Sequence, residues 1–134
     1  MDGAELQAVV RLKAEGLPAV VWEQPFGPEW EVYKVRGKVF ALLTALRASP
    51  VVILKSDPGE AVALREAYPE ITPGYHMNKR HWITLAPGGA LEEELVEDLV
   101  DESYRLVVAK LPRRQRPVDT ATFGVRAPQG RVGG

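Results

Sequence analysis

Pro73-Gly74-Tyr75-His76-Met77-Asn78-Lys79-Arg80-His81-Trp82 is the stretch around which the chain reads as organised. It holds both histidines of the chain, one of its three tryptophans and two adjacent cations. Pro73-Gly74 marks a turn, and Met77-Asn78-Lys79-Arg80 lies between two segments that can each be extended. Beyond it, His81, Ile83 and Leu85 alternate with Trp82 and Thr84, which is strand spacing. Residues 72–85 therefore predict a hairpin that presents cations and aromatics together. That is a binding surface, and no catalytic signature accompanies it.

Toward the N-terminus, Asp57-Pro58-Gly59-Glu60 opens a helix. Asp57 can accept orphan amide hydrogen bonds, proline fits the first helical position, and Glu60 stands where a capping box places a glutamate. Ala61, Leu64 and Tyr68 form its apolar side, and Pro69 ends it. Val51-Val52-Ile53-Leu54-Lys55 is nearly all apolar, as a central strand would be. Before it, residues 32–35 and 38–42 flank Arg36-Gly37, a two-residue hairpin connection. Regular pairing about that turn sets Tyr33 opposite Phe40 and Val35 opposite Lys38, with Lys34 and Val39 on the other face. Pro25-Phe26-Gly27-Pro28 forces a structural corner after the short β-prone run 20–23. Residues 4–15 read as a helix with Leu6, Val9, Val10 and Lys13 on one side, stopped by Gly16 and Pro18.

Toward the C-terminus, Pro87-Gly88-Gly89 is a turn, and residues 91–110 make the strongest helix. Leu91, Leu95, Leu99 and Leu106 recur with Val96, Val100 and Val107 at helical spacing, and the carboxylates fall off that stripe. Pro112 stops it. From Pro117 to Gly134 the chain is Pro/Gly/Arg-rich, which predicts a largely disordered tail behind one domain over residues 1–116. Helix, hairpin, strand, helix, hairpin and helix sum to an α+β fold, an antiparallel β-sheet with helices packed on one face.

The length of 134 residues fits a single domain, and 46% hydrophobic content is ordinary for a folded soluble protein. No cysteine is present, which excludes a disulfide, a thiol nucleophile and any cysteine-ligated zinc or iron–sulfur site. The apolar runs are too short to span a bilayer, and Met1-Asp2-Gly3 lacks the start of a signal peptide, so the expected location is the cytoplasm. The net charge of -1 conceals a strong asymmetry. Glu92, Glu93, Glu94, Glu97, Asp98, Asp101 and Glu102 form one acidic block. Arg105, Lys110, Arg113, Arg114, Arg116, Arg126 and Arg131 follow it against Asp119 alone. Polarised charge is a statement about partners rather than about fold.

Several runs together resemble the bacterial MmcQ/YjbR family, also called DUF419. They are Pro25-Phe26-Gly27, Tyr33-Lys34-Val35, Gly37-Lys38-Val39-Phe40, Leu54-Lys55-Ser56-Asp57-Pro58, the stretch from Pro73 to Trp82, Ser103-Tyr104 and Leu111-Pro112. The similarity spans roughly residues 1–116. It implies a CyaY-like α+β fold and DNA binding through two β-hairpin wings. The family's cationic dipeptide stands here as Lys79-Arg80.

DNA binding needs cations spaced along phosphates. Lys34, Arg36, Lys38, Lys55, Lys79 and Arg80 supply them on strands and hairpins. Arg113, Arg114 and Arg116 extend the surface or act as an arm, and Trp82 can stack on an unpaired base. The plainer alternative makes these solvated loop charges and Trp82 a core residue. With no basic recognition helix, backbone or shape recognition is the expectation. Frataxin-like proteins of that fold hold iron on acidic surfaces, and Glu93 with Glu97, or Glu97 with Asp101, offers such a pair; a solvated helix face is the expected reading. His76 and His81 lack a third partner for catalysis or for a metal, and His76 is expected to pin its turn by hydrogen bonding. Asn78 and His81 join it as motif residues of structural role. No phosphate loop, nucleophile elbow or HExxH is present. The expectation is a monomeric, non-enzymatic protein without cofactor or metal and with DNA as partner. A module for oppositely charged protein partners is the alternative.

Overall fold

The computed structural model describes residues 1–124. Its elements are α1 (Gly3–Glu15), β1 (Val20–Glu23), β2 (Glu31–Val35), β3 (Lys38–Leu46), β4 (Ser49–Lys55), α2 (Pro58–Ala67), β5 (Ile71–Pro73), β6 (Trp82–Leu85) and α3 (Glu93–Ala109). A short 3-10 turn, Arg113–Gln115, follows α3. The strands form one antiparallel sheet in the order β1-β2-β3-β4-β6-β5. The α+β class expected from the sequence is the class observed, and the apolar run 51–55 is the heart of a central strand.

Local chemistry explains the boundaries. Asp57 accepts from the amides of Gly59 and Glu60, with Pro58 opening α2. A full reciprocal capping box forms at α1, between Asp2 and Glu5. On α3 the buried residues Val96, Leu99, Val100, Ser103, Tyr104, Val107 and Val108 face the sheet. They meet Leu6, Val10 and Ala14 of α1, together with Tyr33, Phe40, Leu43, Val52 and Leu54 of the strands, in the main core.

Ser103 is fully buried and links three elements. Its Oγ donates to the carbonyl of Phe40 at 2.6 Å and accepts from the amide of Lys55 at 2.8 Å. Deleting that hydroxyl leaves buried backbone groups unpaired, a loss of about 1–3 kcal/mol. Tyr104 donates to the carbonyl of Pro18 at 2.6 Å and packs edge-on against Phe40.

One register differs from the expectation. Val35 does pair with Lys38 and Lys34 with Val39, but Tyr33 then pairs with Ala41, not with Phe40. A β-bulge leaves Phe40 as the extra residue, and its ring turns into the core against Tyr104, with centroids 5.4 Å apart. Both aromatics are nevertheless buried, on the face expected for them.

The face of the sheet away from the main core carries a smaller cluster of Val32, Leu42 and Ile53. Trp30, Val39, Tyr75, Met77 and Trp82 cover it. The β5–β6 connection thus lays Tyr75 and Met77 down on the sheet. Past Arg116, Val118 and Phe123 pack against the main core, Phe123 lying 5.1 Å from the ring of Tyr104. The rest of the tail, with Arg126 and Arg131, lies outside the described residues.

Candidate nucleic-acid interface

Two connections position the cationic residues. Arg36 and Gly37 both adopt positive φ, 49° and 80°, so β2 and β3 are joined by the left-handed two-residue turn that suits a twisted hairpin. Arg36 then reaches back, its Nε donating to the carbonyl of Gln115 at 3.0 Å. That bond brings the Arg113–Gln115 turn up to the tip of the hairpin.

The second connection begins at Gly74, whose amide donates to the carbonyl of Trp82 at 2.8 Å. A Cβ at Gly74 would stand 2.5 Å from that of Trp82, so only glycine allows this approach. Asn78 Oδ1 accepts from the amides of Arg80 and His81, and Lys79 Nζ donates to the carbonyl of Gly74. Asn78 and Lys79 therefore hold the turn, where His76 was expected to. His76 sits at φ 60° with its ring 4.0 Å from that of Tyr75 and 6.2 Å from that of Trp30. His81 is exposed, and its carbonyl accepts from the amide of Ser56.

Between these connections, at one end of the sheet, lies a groove of about 400 Å³ lined by Lys38, Val39, Lys55, Trp82, Val107, Lys110 and Leu111. Lys55 and Trp82 are paired residues of β4 and β6, and the Lys55 ammonium stands 5.9 Å from the Trp82 ring centroid. Trp82 is half-buried, packing on the small cluster while part of it lines the groove. Burial, and then the charge of Lys110, hold the Lys55 ammonium below the ordinary lysine pKa.

The partners of the other cations sharpen the picture. Lys34 is paired with Glu23 at 2.9 Å, so it serves β1–β2 cohesion. Arg11 forms a two-pronged pair with Glu31, and Lys13 pairs with Asp101. Arg116 donates to the carbonyls of Leu111 and Ala109 and satisfies the C-terminal end of α3. Among the described residues, the side chains of Lys38, Lys55 and Lys110 meet no acidic partner. Neither do those of Arg113 and Arg114 on the neighbouring turn, nor that of the exposed Arg80 on the β5–β6 connection. The structure therefore gathers Lys38, Lys55 and Trp82 into one groove, sets Arg36, Arg113 and Arg114 beside its hairpin, and employs Lys34 and Lys79 in internal bonds. Lys110 is the groove cation absent from the candidates read off the sequence. The signal available was its place at the C-terminal cap of α3, where the helix dipole favours a cation.

On the acidic side, Asp101 is engaged by Lys13 at 3.2 Å, and burial raises its carboxyl above the usual range despite that partner. The pair Glu97 and Asp101 is thus partly committed within the fold. Among the described residues no group of three or more His, Asp or Glu side chains is arranged to hold a metal ion. No helix among them is long and apolar enough to cross a membrane.

This architecture is that of a DUF419 domain. The chain superposes on the crystal structure of Deinococcus radiodurans protein DR2400, a DUF419 domain, with a TM-score of 0.74 and 33% identity, covering 87% of this chain and 86% of that one. A Pseudomonas syringae protein matches with a TM-score of 0.65 and 28% identity over 79% and 98% of the two chains. The chain belongs to the YjbR family, whose model matches residues 15–106. Uncharacterized protein YbdF of Escherichia coli O157:H7 is 44% identical over 116 residues, 87% of this chain and 95% of that protein. Uncharacterized protein YjbR of Escherichia coli K12 is 34% identical over 96 residues, 70% and 81% of the respective chains.

Proposed function

We propose that this protein binds DNA through its backbone, at the groove where Lys38, Lys55 and Lys110 converge around Trp82. The observation that carries the reading is the convergence itself. Like charges are held close enough for Lys110 to depress Lys55, with no carboxylate among the described residues paired to them. A fold tolerates such repulsion where an external anion relieves it, and a phosphate backbone is a dense source of anions. Arg36, Arg113 and Arg114 extend the positive surface along the β2–β3 hairpin, and Arg80 adds to it from the β5–β6 connection. The activity is binding without chemistry, by a monomer acting in the cytoplasm.

Fluorescence anisotropy with a labelled duplex at several salt concentrations tests this. If about four phosphates are neutralised, log affinity falls against log salt with a slope of about -3 to -4. Lys55→Glu with Lys110→Glu is expected to abolish binding, and Lys79→Glu with Arg80→Glu to weaken it. Undiminished binding by the first double variant would refute the groove as the site. A flat salt dependence would refute backbone recognition.

A further inference from the structure

We infer that the groove also holds one unpaired nucleotide, its base against Trp82 and its phosphate on Lys55 and Lys110. The inference rests on the groove being a nucleic-acid interface and specifies what enters it. A duplex backbone asks only for cations on an open surface, because its bases are stacked away from the protein. Besides its lysines, this groove is lined by the apolar surface of Val39, Val107, Leu111 and Trp82. Phosphates gain nothing from an apolar surface, whereas the flat face of a base does, and every base has such a face. The volume, about 400 Å³, lies within the range of small-ligand sites, about 300–1,000 Å³. The ammonium of Lys55 stands 5.9 Å from the centre of the Trp82 ring, so one ligand can touch both. A planar ring bearing an anion satisfies ring, apolar lining and lysines at once, and a nucleotide has that chemistry. It can come from a single strand or from a free nucleoside monophosphate.

The experiment uses the full chain and labelled oligonucleotides of about twelve nucleotides, single-stranded and as a blunt duplex. Thymidine monophosphate and inorganic phosphate serve as competitors at matched ionic strength. The single strand is expected to bind more tightly than the duplex. Thymidine monophosphate should displace it at concentrations where inorganic phosphate does not. Trp82→Leu is expected to weaken single-strand binding about tenfold or more, with a smaller loss for duplex. Trp82→Phe, which keeps a ring on the small cluster, should retain most of the affinity. A strand that outcompetes the monophosphate by orders of magnitude identifies nucleic acid as the source, and comparable affinities identify the free nucleotide. Equal displacement by both competitors on the unaltered protein, or a single strand no tighter than duplex, overturns the base site and leaves a phosphate-binding groove. Failure of both oligonucleotides to bind at low salt overturns the groove reading and this inference together.

Discussion

Under the proposed DNA binding, Lys55 is the residue at which function is set against stability in this fold. Its folded pKa is lowered, first by burial and then by Lys110, so the native state disfavours the charge. The unfolded chain then binds more protons between that lowered value and the ordinary lysine value of 10.5, and stability rises with pH across this window. Below the window the charged ammonium carries its full cost. Lys55→Gln is therefore expected to weaken DNA binding. Its stability relative to the parent should be greatest near neutral pH and shrink as pH rises toward 10.5, which urea unfolding at a series of pH values measures. A relative stability independent of pH would contradict the burial of a charge at this position. Residues of this kind are only half legible in a sequence. Lys55 was readable as a strand cation, but Lys110 was not recognisable as its neighbour, because the two are far apart in the chain and meet only when the end of α3 packs beside β4. Trp82 divides similarly: strand alternation places it, yet only the packed sheet shows it serving core and groove together.

Among the elements, hairpins announced by glycine were legible and one without it was not. Arg36-Gly37 reads directly as a turn. Arg47-Ala48 joins β3 to β4 with Leu46 paired to Ser49, and both turn residues adopt left-handed φ, 51° and 68°. Neither carries the asparagine or glycine that marks such a turn, so the sequence shows strand 51–55 without its first residues or its connection to β3. Each non-glycine residue held there costs about 1 kcal/mol. Arg47→Asn with Ala48→Gly is expected to stabilise the protein by about 1 kcal/mol in urea unfolding, with DNA affinity unchanged, because the turn is remote from the groove residues in the sheet. A loss of stability would show that tertiary contacts, not the turn, set those angles. The β5–β6 connection teaches the converse lesson. Its turn chemistry was readable at Pro73-Gly74 and Asn78, but its descent onto the small cluster depends on Val32, Leu42 and Ile53, residues from three other strands. The bulge that shifts Phe40, whose ring meets Tyr104 on α3, likewise has no local signature.

Across the whole molecule, α3 is an axis of charge. Carboxylates begin at its N-cap, Glu92, and Lys110 caps its far end beside the groove. At 1.5 Å per residue, its 17 residues span about 25 Å, with carboxylates from the first turn to Glu102 and Lys110 at the far end. The near-zero net charge is thus the sum of two poles, and the helix dipole favours this distribution at both ends. Such a dipole turns the basic end toward a polyanion on approach and holds the acidic end away from it. The most direct measurement is an NMR titration of isotope-labelled protein with a duplex oligonucleotide. The indole N–H signals of Trp22, Trp30 and Trp82 report on β1, on the loop before β2 and on β6. The groove reading requires the largest shifts at the Trp82 indole and at the amides of Lys38, Lys55 and Lys110, with α3 residues near Glu93 unmoved. Shifts centred on β1 and the Trp22 indole, or no shifts at low salt, would contradict it.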